Sequence, residues 1–203
     1  MFELFHKGGL VMWPLLLTSV VSLTVVFERV IFIVRERRSR RPDVLENILT
    51  DVEQGNMPQA IKHGEHCRDF VVRTLVYGLK HREKSFSNAL LQAANQELRR
   101  FSQGLTILDT TITLAPLLGL LGTVTGMIHA FGLLGNQELA APTVITGGIA
   151  EALIATAFGL GIAILALIPF NYLNARLEEA RHDIEDASTH LELILRKPDR
   201  RLT

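Results

Sequence analysis

Apolar residues in this chain gather into three long blocks, and the segments between them carry the three-and-four spacing of amphipathic helices. No Asp, Glu, Lys or Arg occurs from Gly8 to Phe27 or from Thr110 to Gln137, and from Leu139 to Ala175 the one such residue is Glu151. The 20 charge-free residues of the first block make a helix of about 30 Å, the thickness of a bilayer core. The pattern predicts transmembrane helices over 10–34, 106–135 and 143–173. Within the 35–105 loop, Val44, Leu45, Ile48, Leu49 and Val52 recur at helical spacing. Gly55 ends that helix, and Asn56 can cap the next, with Pro58 tolerated in its first turn. Further helical segments are predicted over Phe70–Leu79 and Ser85–Arg100. The last one runs into the second apolar block with only Gly104 and Pro116 as weak points. That predicts one helix over 87–134, about 72 Å long, of which a bilayer takes about 30 Å. Beyond Tyr172, residues Leu173, Leu177, Ala180, Ile184, Ala187, Leu191 and Ile194 form a heptad-like seam. It suits either packing on the chain's own inner loop or a contact between subunits. The two long helices would then form a cytoplasmic stalk.

Composition removes several classes of function. Lys plus Arg and Asp plus Glu are 21 each over 203 residues, so no net charge argues for nucleic acid. A soluble fold would have to bury a 37-residue stretch with one charge inside a 22.6 kDa molecule, which a core of that size does not do. The lone Cys67 excludes an intrachain disulfide. Charge placement sets the expected orientation. Arg35, Arg37, Arg38, Arg40 and Arg41 follow the first span, and Arg176, Arg181, Arg196, Lys197, Arg200 and Arg201 follow the third. The 136–142 connector carries Glu138 and no basic residue. Basic flanks stay in the cytoplasm. The expected layout is therefore a short N-terminus on the outer side at 1–9 (the periplasm, if the membrane is a bacterial inner one), a cytoplasmic helical loop at 35–105, an outer connector at 136–142 and a cytoplasmic helix and tail at 174–203. A cleaved leader is disfavoured because the apolar part is too long, only Lys7 precedes it and no small-x-small site follows. Trp13 and Tyr172 suit the two interfaces. Glu28 and Arg29 could form a local interface pair, but adjacent residues on a helix do not share a face, so no salt bridge is expected.

Glu151 is the candidate with chemistry. A helix entering at Thr143 carries it about 12 Å inward. A carboxyl facing lipid there is costly, so it should face protein or a wet lumen. It then serves either as a proton carrier or as a structural group hydrogen-bonded across a helix interface. Thr123 and Thr156 are placed to line a polar path, or to bond their own helix backbone. Thr156 lies about 140° around an ideal helix from Glu151, so the two do not share a narrow stripe. Asp109, at the inner mouth of the second span, and His129, toward its outer end, are weaker proton-path candidates with ordinary interfacial readings. Small residues form two stripes, Ala115, Gly119, Gly122, Gly126 and Ala130 in one span and Gly148, Ala152, Ala155, Gly159, Ala163 and Ala166 in the next. They permit close helix packing. Three spans hardly enclose a path, so oligomerisation about an axis is expected. No phosphate loop, dinucleotide fingerprint, zinc-protease motif or nucleophile elbow occurs, so neither an enzyme nor a cofactor site is expected. His63, His66 and Cys67 lack a second ligand cluster and are not read as a metal site.

Two stretches carry a resemblance. "PLLGLLGTVTGMIHAF" at 116–131 and "GGIAEALIATAFGL" at 147–160, with "FER" at 27–29 and "GNMPQA" at 55–60, resemble the MotA/TolQ/ExbB proton-channel family, most closely its ExbB/TolQ branch. The resemblance spans essentially the whole chain. It implies an all-α membrane protein of the bacterial inner membrane, with three transmembrane helices, two of them extended far into the cytoplasm, and a helical cytoplasmic domain. It implies a homopentamer around a central lumen, which would hold an ExbD/TolR-like single-span dimer whose membrane Asp is the main protonatable group. A TonB-like or TolA-like protein would receive the force. The family's lumen threonines match Thr123 and Thr156, and its intramembrane glutamate matches Glu151. The implied role is a proton-channel or motor subunit that uses the proton motive force to energise transport or envelope work. A non-conducting scaffold of such a complex is the alternative, and a small-solute transporter is a third class. One departure stands out: where the family reads "AIPA", this chain has "AILALIPF", with Leu165 in the proline's place and Pro169 four residues on. Any kink would move about 6 Å inward.

Overall fold

The computed structural model describes residues 9–134 and 142–196. The expected 1–9 terminus (except Gly9), most of the 136–142 connector with Glu138, and the 197–203 tail lie outside the described residues. Among the described residues the chain is all helical, in seven helices: α1 (Met12–Ser39), α2 (Pro42–Glu53), α3 (Met57–Gly64), α4 (Phe70–Lys80), α5 (Arg82–Ser102), α6 (Leu105–Leu134) and α7 (Pro142–Arg196). Three stretches are long and apolar enough to cross a membrane. They lie in α1, in α6 and in α7. The chain divides into two compact units, one of residues up to Arg29 plus Gly104–Tyr172, the other of Val30–Gln103 plus the chain from Leu173 on.

The first unit is built on contact between small residues. A Cβ placed on Gly126 would meet the Ala152 Cβ at 3.0 Å, and one on Gly148 would meet the Ala130 Cα at 3.3 Å. One on Gly159 would meet the Ala115 carbonyl oxygen at 2.5 Å and the Gly119 Cα at 3.0 Å. The two small-residue stripes therefore face each other, antiparallel, and bring the α6 and α7 backbones together. Val11, Met12 and Leu15, at the start of α1, are buried with Ala115 and Ala163, and Leu118, Phe158 and Ile162 pack on them. Large apolar residues on the remaining faces, such as Leu117, Ile128, Leu153 and Ile164, are exposed. Arg29 donates through Nε to Glu28 Oε2 at 2.6 Å and its second nitrogen pairs with Oε1. The expectation that these neighbours form no salt bridge is corrected: a guanidinium is long enough to swing round the helix to the adjacent carboxylate.

In the second unit α2 packs on α3, α3 on α4 and α4 on α5. Helix α4 is buried on nearly every side, from Phe70 through Leu79. Its first turn is anchored by Asp69. This buried side chain accepts from Val71 N at 2.9 Å and from Arg41 N at 2.7 Å, and pairs with Arg40 at 3.3 Å. Arg40 also pairs with Asp183 of α7 at 3.0 Å. Edge-to-face rings join Phe101 to Phe32 at 5.3 Å and to Phe70 at 5.1 Å. Along the α7 seam Leu173, Ala180, Ile184, Ala187 and Leu191 are buried within the single chain.

Three local expectations change. The single helix over 87–134 is interrupted at Gln103–Gly104, where Gly104 adopts a φ of +79°; that left-handed angle ends a helix readily only at glycine. A second break lies at Ser85, whose extended φ and ψ of −174° and 102° separate it from the helix that follows. Asn56 occupies the N-cap position of α3 but makes no side-chain cap bond. Gly55, at φ +78°, makes the turn as expected. Pro169 lies inside α7, which continues through it.

Candidate functional site

The polar groups of the apolar helices do not all gather in one place. Thr156, half-buried on α7, donates its hydroxyl across the interface to the Gly119 carbonyl of α6 at 2.9 Å. This bond is possible because the glycine pair Gly119 and Gly159 lets the two backbones touch. Thr123, one turn beyond Gly119 on α6, donates to its own helix at Leu120 O, 2.6 Å away. Thr123 and Thr156 therefore sit at one level, on either side of the Gly119 carbonyl. The first spends its hydroxyl hydrogen on its own helix; the second ties two helices.

Glu151 lies apart from this pair. It is half-buried and its carboxyl group reaches the start of α1. A Cβ built on Gly9 would lie 3.0 Å from Glu151 Cδ and 3.5 Å from Cγ, and would collide with Oε1. Gly9 has φ +72°, and its carbonyl accepts from Met12 N at 3.2 Å, opening the first turn of α1. Nearby, Val11 lies level with Gly122 of α6 and Ala155 of α7. The first span thus begins beside Glu151, not beside the start of α7. Sequence reasoning missed Gly9. The Gly8–Gly9 pair ahead of the apolar block was the signal, since a glycine at a helix start is one of the few residues that accept φ near +70°.

Asp109 and His129 are both exposed. On α6 they stand about 21 Å and 9 Å from Thr123 by helical rise, so neither joins the threonine pair. Asp109 contributes only a backbone carbonyl there, accepting from the Thr113 hydroxyl at 3.2 Å. Among the described residues, two of the cavities lie elsewhere. One of about 270 Å³ is lined by Leu17, Thr18, Val21, Thr106, Ile107, Thr110, Thr111 and Leu114. The other, of about 370 Å³, belongs to the second unit and is lined by Glu36, Arg37, Arg40, Arg176, Glu179, Asp183 and apolar neighbours. Among the described residues no group of three or more His, Cys, Asp or Glu side chains is arranged to hold a metal. His63 is engaged with Asp51, Nδ1 to Oδ2, at 2.7 Å.

Comparison with known proteins gives these positions a family context. Residues 64–186 match the MotA/TolQ/ExbB proton channel family. The chain is 40% identical over 204 residues to the ExbB-like biopolymer transport protein 1 of Synechocystis sp., covering 95% of this chain and 78% of that one. It is 32% identical over 198 residues to ExbB-like protein 3 of the same organism, covering 94% and 92%. It is 38% identical over 100 residues to the Tol-Pal system protein TolQ of Haemophilus influenzae, covering 49% and 44%.

Proposed function

Because this chain belongs to the MotA/TolQ/ExbB proton channel family, we propose that it is the proton-channel subunit of an inner-membrane complex that turns the proton motive force into work. It is a multi-pass helical membrane protein and not an enzyme. In this reading, five copies surround a lumen that holds a dimeric single-span partner of the ExbD/TolR type. The N-terminus faces the periplasm and the loop of α2–α5 faces the cytoplasm. A TonB-like or TolA-like protein carries the force outward. Moving one charge down the membrane potential releases about 2.3 kcal/mol per 100 mV, and the complex captures it by shifting between two arrangements of the helices around the partner.

The observation that carries this reading is Glu151. It is the sole Asp, Glu, Lys or Arg in a stretch of 37 residues, and it is half-buried against protein backbone at Gly9 instead of facing lipid alone. A carboxyl kept inside an apolar span at that cost is expected to exchange protons. Thr123 and Thr156 supply hydroxyls about one and a half turns away, where a water file can form. The test is proton-driven output of the complex with Glu151→Gln and with Thr156→Ala. Strong loss in Glu151→Gln is expected. Full output in both variants would remove these residues from the mechanism and favour a non-conducting scaffold.

A further inference from the structure

We infer that Gly9 is a positioning residue for Glu151, seating its carboxyl group against the first turn of α1 and so making the start of the first span one wall of the proton-exchanging site. The inference rests on the reading of Glu151 given above.

Two features of Gly9 coincide. Its backbone has φ +72°, a conformation that side chains with a Cβ rarely accept. Its missing Cβ also leaves the volume that the Glu151 carboxyl fills, with Cδ 3.0 Å from the Cβ position. The other two left-handed glycines among the described residues separate these features. At Gly55, φ +78°, a Cβ would meet nothing within 4 Å. At Gly104, φ +79°, it would meet Val25 and Arg29 side chains, Arg29 Cδ at 3.5 Å. Gly9 alone of the three is held open by an acidic group.

The fit is reinforced from behind. Val11, Met12 and Leu15 are buried at 7%, 2% and 1% exposure, so the first turn of α1 is wedged into the contact with α6 and α7 and cannot retreat. Any group added at Gly9 must therefore displace the carboxyl of Glu151, not the helix. The first peptide N–H groups of a helix lack intrahelical acceptors and favour negative charge nearby. A carboxylate seated there meets that end of the helix, and its displacement exchanges that environment for another. The first span, which contributes no charged residue of its own between Gly8 and Phe27, thereby acquires a direct part in proton exchange.

The experiment follows Glu151 itself. Membranes holding the full-length protein are treated with dicyclohexylcarbodiimide, and modification of Glu151 is timed by mass spectrometry. Gly9→Ala should speed labelling by about threefold or more as the carboxyl is pushed out of its seat. Gly9→Asn, which tolerates the left-handed backbone but adds a Cβ, should do the same. Gly55→Ala, with equal backbone strain and open space, should label like the unaltered protein. Shortening the acid should rescue the crowding: Gly9→Ala with Glu151→Asp should label at the rate of Glu151→Asp alone. Proton-driven output should fall about tenfold in Gly9→Ala and recover to the Glu151→Asp level in the double variant. Unchanged labelling in both Gly9 variants, or an equal shift in Gly55→Ala, overturns the inference. A Gly9→Ala chain that accumulates only when Glu151 is shortened supports it; one lost with either acid overturns it. Output that survives Glu151→Gln would retire the proton-path reading while the labelling comparison still decides the role of Gly9.

Discussion

Replacing Gly159 by alanine is the sharpest test of how the apolar helices are held. The new methyl would lie 2.5 Å from the Ala115 carbonyl oxygen, 3.0 Å from Gly119 Cα and 3.2 Å from Gly119 N. All three atoms are backbone, so no side chain can turn aside. Restoring an ordinary contact near 3.4 Å needs an opening of about 0.9 Å between α6 and α7. The Thr156–Gly119 hydrogen bond lies on this contact at 2.9 Å, and the same opening stretches it to about 3.8 Å, beyond hydrogen-bonding range. Forced repacking of a tight interface costs about 1–3 kcal/mol, and loss of an interhelical hydrogen bond in a membrane adds about 0.6 kcal/mol. Gly161 is the matched control: it is on the same helix, and a Cβ there meets nothing within 4 Å. Gly161→Ala should be neutral or gain up to about 1 kcal/mol from helix propensity. Denaturant unfolding of the full-length protein in detergent, followed by helicity, compares the two. The reasoning fails if they unfold within about 0.5 kcal/mol of each other.

Two further predictions concern the second unit. Asp69→Ala removes the acceptor for Val71 N and Arg41 N and the partner of Arg40; it should cost about 2–4 kcal/mol, read as an earlier thermal loss of helix by circular dichroism, and an undiminished transition temperature would refute the cap's importance. At the surface, the hydrogen bond and charge of Lys80, with Nζ 2.7 Å from Oε1, hold the Glu65 carboxyl below its ordinary value of 4.5. A lowered acid gives stability that is present above the unfolded pKa and lost as pH falls through the folded one. Lys80→Gln should therefore raise the Glu65 midpoint in a carboxyl-resolved NMR titration, with an unshifted midpoint as the contrary result.

The helices of the 35–105 loop were legible because their apolar positions keep a clear period. Val44 to Val52 marks α2 and Phe70 to Leu79 marks α4. The break at Gln103–Gly104 was less legible, since both sides are good helix and only a backbone angle of +79° ends it. The small-residue stripes were legible as close-packing surfaces, but a stripe does not name its mate; the structure pairs them within one chain. The α7 seam posed the same ambiguity, and here the chain's own residues bury Leu173, Ile184 and Leu191. At the candidate site, the sequence marked Glu151 as the one charge in its stretch, and Thr123 and Thr156 by their depth in the spans and by the family resemblance. The Gly8–Gly9 pair hinted at a turn before the first span but not at its role, because Gly9 matters through a side chain 142 positions away that fills the space its own lacks. Nor could the sequence reveal the acceptor of Thr156, a main-chain carbonyl made reachable by the close approach at Gly119 and Gly159.

Using the glycine and alanine faces inside each chain has a consequence for assembly. With Gly119, Gly122, Gly126, Gly148 and Gly159 all closed against their own neighbouring helix, the surfaces left to meet lipid or another copy are rich in Leu, Ile and Val. Leu117 is 60% exposed, Ile128 67%, Leu153 63% and Ile164 59%. In the proposed oligomer these bulky side chains would form the subunit contacts, since apolar residues facing lipid gain little by burial and associate through shape. Contacts of that kind slide more easily than interlocked glycines, because no backbone carbonyl is caught between close helices. The arrangement therefore divides the work physically. Within a chain, the membrane parts of α6 and α7 are held together by glycine contacts and by the Thr156 hydrogen bond. In the proposed oligomer, the exposed Leu, Ile and Val faces between chains would be the ones to rearrange as a proton is taken up or released.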